Sequence, residues 1–409
     1  MSPLPANISI TPGSVSPTAV VNYNLSAPGT IVVSVFNPAA FTGAGSVVNI
    51  NMRVIGPIGS VSPLNLVNFR YNGGLVCSNV SSGTLTVVGG SVAGRVVYEN
   101  EAYPAPTTTP TPKPVPNTRL DAVGSASFFT LSNASGNYLL ASFGPGPYTV
   151  TPSRPDENHL TPNGIFSNDP SLIAQHVVGL ITLSPVQLRA ADVSGLHTIT
   201  SFDAALVAQW IVGIPNPINR TGTWVFTPPS TMPDTNLDTM QNYAALLMGD
   251  VNGDWVPNPP MQPDSSLPPT ENSILAALAD TKAAANSTVT LPLRLSNLRG
   301  AEVSSFQFDI VYDPAMLKPA EIAADVTGTL SDGAGIASYS PSPGLLKVVV
   351  YGTFPISGEG VYVNLRFKTA GRRASTPVEI RRFRVNDGTQ KVFASGAVVD
   401  IMAISPSGF

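Results

Sequence analysis

The sequence predicts a mainly β protein with one small helical module, and three observations carry that prediction. Charged residues make up only 11% of the chain while Gly (35) and Pro (40) abound, which favours short strands and turns over long helices. Alternating apolar runs separated by Gly and Pro fill both ends of the chain. Near the middle the apolar period becomes helical, and a stretch there is duplicated.

At 409 residues the chain can hold several separate cores. A net charge of −4 without any Lys/Arg cluster excludes nucleic acid and anionic membrane as natural partners. Cys77 is the single cysteine, so neither an internal disulfide nor a cysteine metal cage is expected. Without a run of ~18 apolar residues, no membrane span is predicted. Low charge and Thr/Pro-rich linkers point to an extracellular or cell-surface location. Met1 to Pro5 lacks the basic start and apolar core of a signal peptide, so a secreted form would be mature or a piece of something longer.

Residues 1–90 alternate as strands, notably Thr30–Phe36, Val47–Met52 and Leu64–Tyr71. The next segment, 91–154, opens on the strand Val92–Glu99 and contains the stiff stretch Ala105–Pro114, expected as a loop inside one small domain. Its Gly144-Pro145-Gly146 is a turn before the closing strand Pro147–Val150; a phosphate cradle would need a helix directly after it. Val92-Ala93-Gly94-Arg95-Val96, with Ser135–Tyr138 and Pro147–Val150, resembles the prealbumin-like (carboxypeptidase regulatory-like) β-sandwich of bacterial surface proteins. That resemblance implies a spacer without catalysis.

Residues 155–260 hold the helical module. Ile165–Gly179 and Ile199–Gly213 match without gaps at an offset of 203 − 169 = 34, each with Asp at the helix start and Gly at its end. Ahead of the second copy, Asp192, Ser194, the Thr198 carbonyl, Thr200 and Asp203 fall at positions 1, 3, 7, 9 and 12 of a calcium loop. This duplicated loop-plus-helix resembles a dockerin, the calcium-dependent module that binds cohesins. Leu196 and His197 depart from the pattern at positions 5 and 6, so this site should bind Ca2+ weakly, towards ~mM, or stay empty. Capping is the competing reading, because Asp169 and Asp203 both suit a helix N-cap.

The first copy lacks a front half, since Asn158 and Leu160 stand where Asp192 and Ser194 do in the second. Conversely, Gly249-Asp250-Val251-Asn252-Gly253-Asp254-Trp255 is a front half whose closing carboxylate is missing, with Met261 at the required place. The two are read as one split loop: Asp250, Asn252 and Asp254 at positions 1, 3 and 5, and Asp169 as the bidentate ligand of a permuted module.

Residues 266–409 are strand-like again. Phe306-Gln307-Phe308-Asp309 running into Tyr312-Asp313-Pro314, with the Gly358-Glu359-Gly360 turn, resembles a cohesin, implying a jelly-roll sandwich. A second repeat links the two ends. Gly29, Ile31, Val33, Val35, Val48, Asn49 and Ile50 match Gly344, Leu346, Val348, Val350, Val363, Asn364 and Leu365 at 344 − 29 = 315. Pro63, Leu66, Phe69, Asn72 and Gly74 match Pro377, Ile380, Phe383, Asn386 and Gly388 at 377 − 63 = 314. Residues 1–90 are therefore expected to form a partial cohesin-like sandwich without counterparts of residues 285–315.

Catalysis has no support: His159, His176 and His197 show no metal-ligand spacing, and no nucleophile–base motif occurs. Trp224 and Trp255 are core residues or, less simply, sugar platforms. Three functions follow. One is a structural protein assembling head-to-tail with copies of itself through strand completion. Another is a scaffold whose cohesin-like domain binds dockerin-bearing proteins. The last is a polysaccharide-binding surface protein.

Overall fold

The structure, a computed structural model, describes residues 8–74, 78–99, 112–259 and 273–403. Cys77, positions 105–111 of the Pro/Thr-rich stretch and Met261 lie outside the described residues. The fold is mainly β, and the chain forms two compact units.

The N-terminal unit, residues 8–90 with 142–145, holds six strands: β1 (Ile8–Pro12), β2 (Val20–Ala27), β3 (Thr30–Phe36), β4 (Val48–Met52), β5 (Val61–Leu64) and β6 (Gly83–Thr86). They pair as three separate antiparallel ribbons, β1–β4, β2–β3 and β5–β6. Ile10 is buried, whereas Ile50, Met52, Leu64, Leu66 and Leu85 are exposed. Two-stranded ribbons bury one side of each strand pair poorly and leave both edges unpaired.

The larger unit begins with β7 (Val92–Tyr98), β8 (Arg119–Val123), β9 (Ser127–Leu131), β10 (Asn137–Leu140) and β11 (Thr149–Ser153). Three helices follow: α1 (Asn168–Val177), α2 (Pro185–Ala191) and α3 (Ser201–Val212). Then come β12 (Trp224–Thr227), β13 (Thr239–Met240) and β14 (Tyr243–Leu247). Strand β7 alternates, burying Val92, Gly94, Val96 and Tyr98, and it pairs with β10 on one edge and, in parallel, with β13 and β14 on the other. The small sandwich expected over 91–154 is thus extended by strands from 224–247, a correction to the expectation that residues 155–260 belong wholly to the helical module. Gly94 is required there, since a Cβ would lie 1.7 Å from the Gln241 carbonyl oxygen.

The C-terminal sandwich is built from β15 (Ile274–Ala277), β16 (Thr281–Ala284), β17 (Thr288–Ser296), β18 (Val303–Tyr312), β19 (Leu317–Asp325), β20 (Gly335–Ser342), β21 (Leu345–Ile356), β22 (Gly360–Thr369), β23 (Ala374–Val385), β24 (Val392–Ser395) and β25 (Ala397–Met402). One sheet runs β19-β22-β17-β15-β24 and the other β16-β25-β23-β18-β21-β20. Strict alternation along β17 buries Val289, Leu291, Leu293 and Leu295 against Phe306, Phe308 and Ile310 of β18 in one continuous core. Phe308 stacks on Phe383 with ring centroids 5.2 Å apart.

Candidate functional site

Helices α1 and α3 each carry in the first turn an aspartate that reaches backwards. In α3, Thr200 is the N-cap and Asp203 completes a capping box, and Gly213 ends the helix in the left-handed conformation. Asp203 Oδ2 accepts from the Thr200 amide (3.0 Å), and its Oδ1 accepts from the Ser194 amide (3.0 Å). In α1 the N-cap position belongs to Ser167, which makes no side-chain cap. Neither aspartate is itself an N-cap, so the capping reading applies only in the form of the Thr200–Asp203 box.

Asp169 repeats the Asp203 pattern across a gap of eighty residues. Its Oδ2 accepts from the Phe166 amide (2.8 Å), three residues back, as Asp203 does from Thr200. Its Oδ1 accepts from the amides of Val251 (2.8 Å) and Asn252 (3.1 Å). Asn252 stands two residues after Asp250, as Ser194 stands two after Asp192. The structure therefore brings Asp169 onto the loop of Asp250, Asn252 and Asp254, and Asp203 onto the loop of Asp192 and Ser194.

Within the split loop, Asp250 Oδ1 and Asn252 Oδ1 both accept from the Asp254 amide at 3.1 Å. Asp250 Oδ2 accepts from Tyr98 Oη (2.5 Å) and from the Trp255 amide (3.1 Å). Burial, then the neighbouring Asp254 carboxylate, pushes the Asp250 carboxyl up to about 7. Burial and the charges of Asp250 and Asp254 likewise push Asp169 well above the usual carboxylate range. Gly164 is essential to this packing, with φ +84° and a Cβ position 2.8 Å from the Trp255 Cα.

Two cations approach the cluster. Lys113 Nζ donates to the carbonyls of Gly253 (2.6 Å) and Trp255 (2.9 Å), and Arg384 Nη2 lies 3.2 Å from Asp254 Oδ2. In the other loop, His197 Nδ1 lies 3.4 Å from Asp192 Oδ2, while Asp192 Oδ1 is buried without a hydrogen-bond partner. Asp254 Oδ1 is also buried and unpartnered. The donor set is all oxygen and rich in carboxylates, which fits a hard cation such as Ca2+. Among the described residues, no three His, Cys, Asp or Glu side chains are arranged as a preformed metal cage. Thr198 and Thr200 sit on the Asp192 loop, but Thr200 is engaged in capping α3.

The helical module lies on one face of the six-stranded sheet: α1 packs on β18 and β21, and α3 on β20 and β21. Polar contacts fix this seat. The Ser167 amide donates to Gln307 Oε1 (2.7 Å), Ser171 Oγ to the Gly352 carbonyl (2.6 Å) and Lys347 Nζ to the His159 carbonyl (3.0 Å). Arg382 pairs with Asp309 and donates to the Leu160 carbonyl (2.6 Å). Sequence reasoning found the carboxylates but missed Tyr98, Lys113, Gln307, Arg382 and Arg384, because each lies on a distant strand or loop. Trp255 is fully buried against Tyr98 and Trp224, with Arg154 over the rings, so it is no sugar platform.

The family model described as Cohesin domain matches residues 275–400. The chain is similar to the sixth cohesin of scaffoldin B from Acetivibrio cellulolyticus, solved in complex with a Cel5 dockerin (23% identity, 32% of this chain and 99% of that one, TM-score 0.28). It is also similar to a non-cellulosomal cohesin from the archaeon Archaeoglobus fulgidus (19%, 32% and 92%, TM-score 0.28). A third similar structure is a Clostridium thermocellum type I cohesin–dockerin complex (17%, 32% and 100%, TM-score 0.28). Comparison with curated proteins gave no match. Residues 275–400 of the C-terminal sandwich thus match a cohesin domain. No helix among the described residues is long and apolar enough to cross a membrane.

Proposed function

We propose that this chain is a non-catalytic, extracellular or cell-surface interaction protein whose cohesin domain holds a dockerin-like module of the same chain. The observation that carries this reading is the seat of α1 and α3 on β18, β20 and β21, fixed by Gln307, Lys347, Gly352 and Arg382. A cohesin face covered in this way is closed to dockerins of other proteins until the helices leave. Ca2+ bound by Asp250, Asn252, Asp254 and Asp169, and more weakly by the Asp192 loop, would neutralise the clustered carboxylates and hold the helices in place. The test is hydrogen exchange of α1 and α3 with calcium and with chelator, beside capture of an added dockerin. Slow exchange without capture in calcium is expected. Capture while the helices remain protected would overturn the reading.

A second reading rests on the N-terminal unit: the chain assembles head-to-tail through completion of that unit by strands from elsewhere. Its three unjoined ribbons with exposed Ile50, Met52, Leu64 and Leu66 favour it. Particle size of purified material tests it; a monodisperse monomer at all concentrations would rule it out.

A further inference from the structure

Ahead of α1 the chain makes a tight turn at Asn158–Thr161. The Thr161 amide donates to the Asn158 carbonyl (3.0 Å), and the Leu160 amide donates to Asn158 Oδ1 (2.9 Å). Both central carbonyls of this turn meet cations of the six-stranded sheet. His159 accepts from Lys347 Nζ on β21 (3.0 Å), and Leu160 accepts from Arg382 Nη1 on β23 (2.6 Å). The turn is therefore one of the points at which the helical module is fastened to the sheet.

The His159 ring packs against the end of α3. It lies edge-to-face with Trp210, ring centroids 6.2 Å apart, and a Cβ on Gly213, the left-handed C-cap, would come within 2.5 Å of its Cε1. Its Nδ1 is buried and has no hydrogen-bond partner. A helix C-terminus favours a neighbouring cation, but the Gln209 and Trp210 carbonyls already accept from the amides of Gly213 and Ile214.

The charges around this ring are mostly positive. β21 presents Lys347 and β23 presents Arg382, while β18 presents Asp309, which is already paired with Arg382. Arg381, opposite Asp309 in register, is engaged with Glu379. Helix α3 offers Trp210 and Gly213, neither of them charged. On the ring's own segment Glu157 faces Arg154, and Asp156 is exposed. A proton on His159 would thus add a third cation beside one carboxylate, on a ring whose inner nitrogen has nothing to donate to. Burial, then Lys347 and Arg382, accordingly hold the imidazole below its ordinary range.

We propose that His159 is an acid-sensitive catch: the neutral imidazole lets the helical module sit on the six-stranded sheet, and its protonation releases the module and opens that face. This rests on the reading that the module closes the face, and it names what opens it. The released ring binds a proton more readily than the seated one, so seating is complete above the ordinary histidine pKa and is lost as pH falls through it. With the seated ring neutral and the released ring titrating at about 6.5, seating weakens about 10-fold between pH 7.5 and pH 5.5.

The test compares the unaltered full chain with His159→Phe and His159→Gln, neither of which takes a proton at this position. Protection factors of α1 and α3 amides are measured at both pH values, relative to those of β17 in the same unit. On acidification the unaltered chain should lose about 10-fold more protection in α1 and α3 than either variant does. Comparing the chains cancels the titration of the loop carboxylates and the other histidines, which all three share. A loss in the variants that equals or exceeds that of the unaltered chain overturns the proposal while leaving the seat intact. Low protection of α1 and α3 in all three chains already at pH 7.5 would sink the seat itself, and the proposal with it.

Discussion

The N-terminal unit and the cohesin domain use nearly the same strand pairings and reach opposite outcomes. Ile50 is 42% exposed where its equivalent Leu365 is fully buried, and Leu66 is 47% exposed where Ile380 is 5% exposed. Local sequence is not the cause, since the side chains are of similar size and apolarity. The difference is β17 and β18, which turn β19–β25 into two facing sheets over one core. Ribbons specify registers; only the joining strands bury them.

The comparison is broken most sharply by truncating equivalent residues. Phe367 sits fully buried in β22, and its equivalent in β4 is Met52, by 367 − 315. Phe367→Ala should cost about 3–5 kcal/mol in denaturant unfolding of the larger unit, as deletion of a buried aromatic does. Met52→Ala should stay within about 0.5 kcal/mol, as exposed substitutions do. A large loss for Met52→Ala in monomeric protein would mean that the N-terminal unit is already filled.

The two loops offer the same contrast on a smaller scale, one continuous and one split. Asp203→Ala removes bonds made within a dozen residues, whereas Asp169→Ala releases Val251 and Asn252 across the chain. Leaving the Phe166, Val251 and Asn252 amides unpaired should cost about 3–6 kcal/mol, counting one to two for each lost partner. Asp203→Ala should cost less because its loop lies closer to water. Melting with calcium and with chelator checks both, and equal losses would remove the distinction between a latch and a local cap.

Much of this was legible in the sequence, and the reason for each failure is physical. The offsets of 315 and 34 exposed both internal repeats, because repeated folds must repeat their apolar periods and turn glycines. Asp169 was assigned to the Asp250 loop by complementarity of two half-motifs. The contribution of β12, β13 and β14 to the sheet of β7 was not visible, since parallel pairing over more than a hundred residues leaves no local pattern. Helix α2 was missed as well, although Ser184-Pro185-Val186-Gln187 is a capping-box sequence with Pro at the first helical turn.

The split loop also gives a pH signature. Burial raises Asp250 from 3.8 to about 7, so the folded, metal-free protein holds a proton there that the unfolded chain has lost. That contribution is fully present below about pH 4 and disappears as pH rises through about 7. In chelator, the larger unit should therefore lose stability between pH 4 and 7, and Asp250→Asn should flatten the slope. Calcium should flatten it too, by favouring the ionised form. A slope of the opposite sign would show that Asp250 is ionised in the metal-free fold.

The smallest effect sharpens the comparison between α1 and α3. Ser171 donates to the Gly352 carbonyl on β21, and the repeat places Ala205 at the same position of α3, by 171 + 34. Ser171→Ala thus makes α1 resemble α3 at its contact with the sheet. One hydrogen bond of this kind is worth about 1 kcal/mol, so α1 amides should exchange about five-fold faster. Amides of α3, and those of β2 and β3 in the N-terminal unit, should be unchanged. Faster exchange confined to α1 would show that each helix is held by its own contacts. Joint loosening of α1 and α3 would show instead that the helical module leaves the sheet as one body, which is the motion that the proposed opening of this face requires.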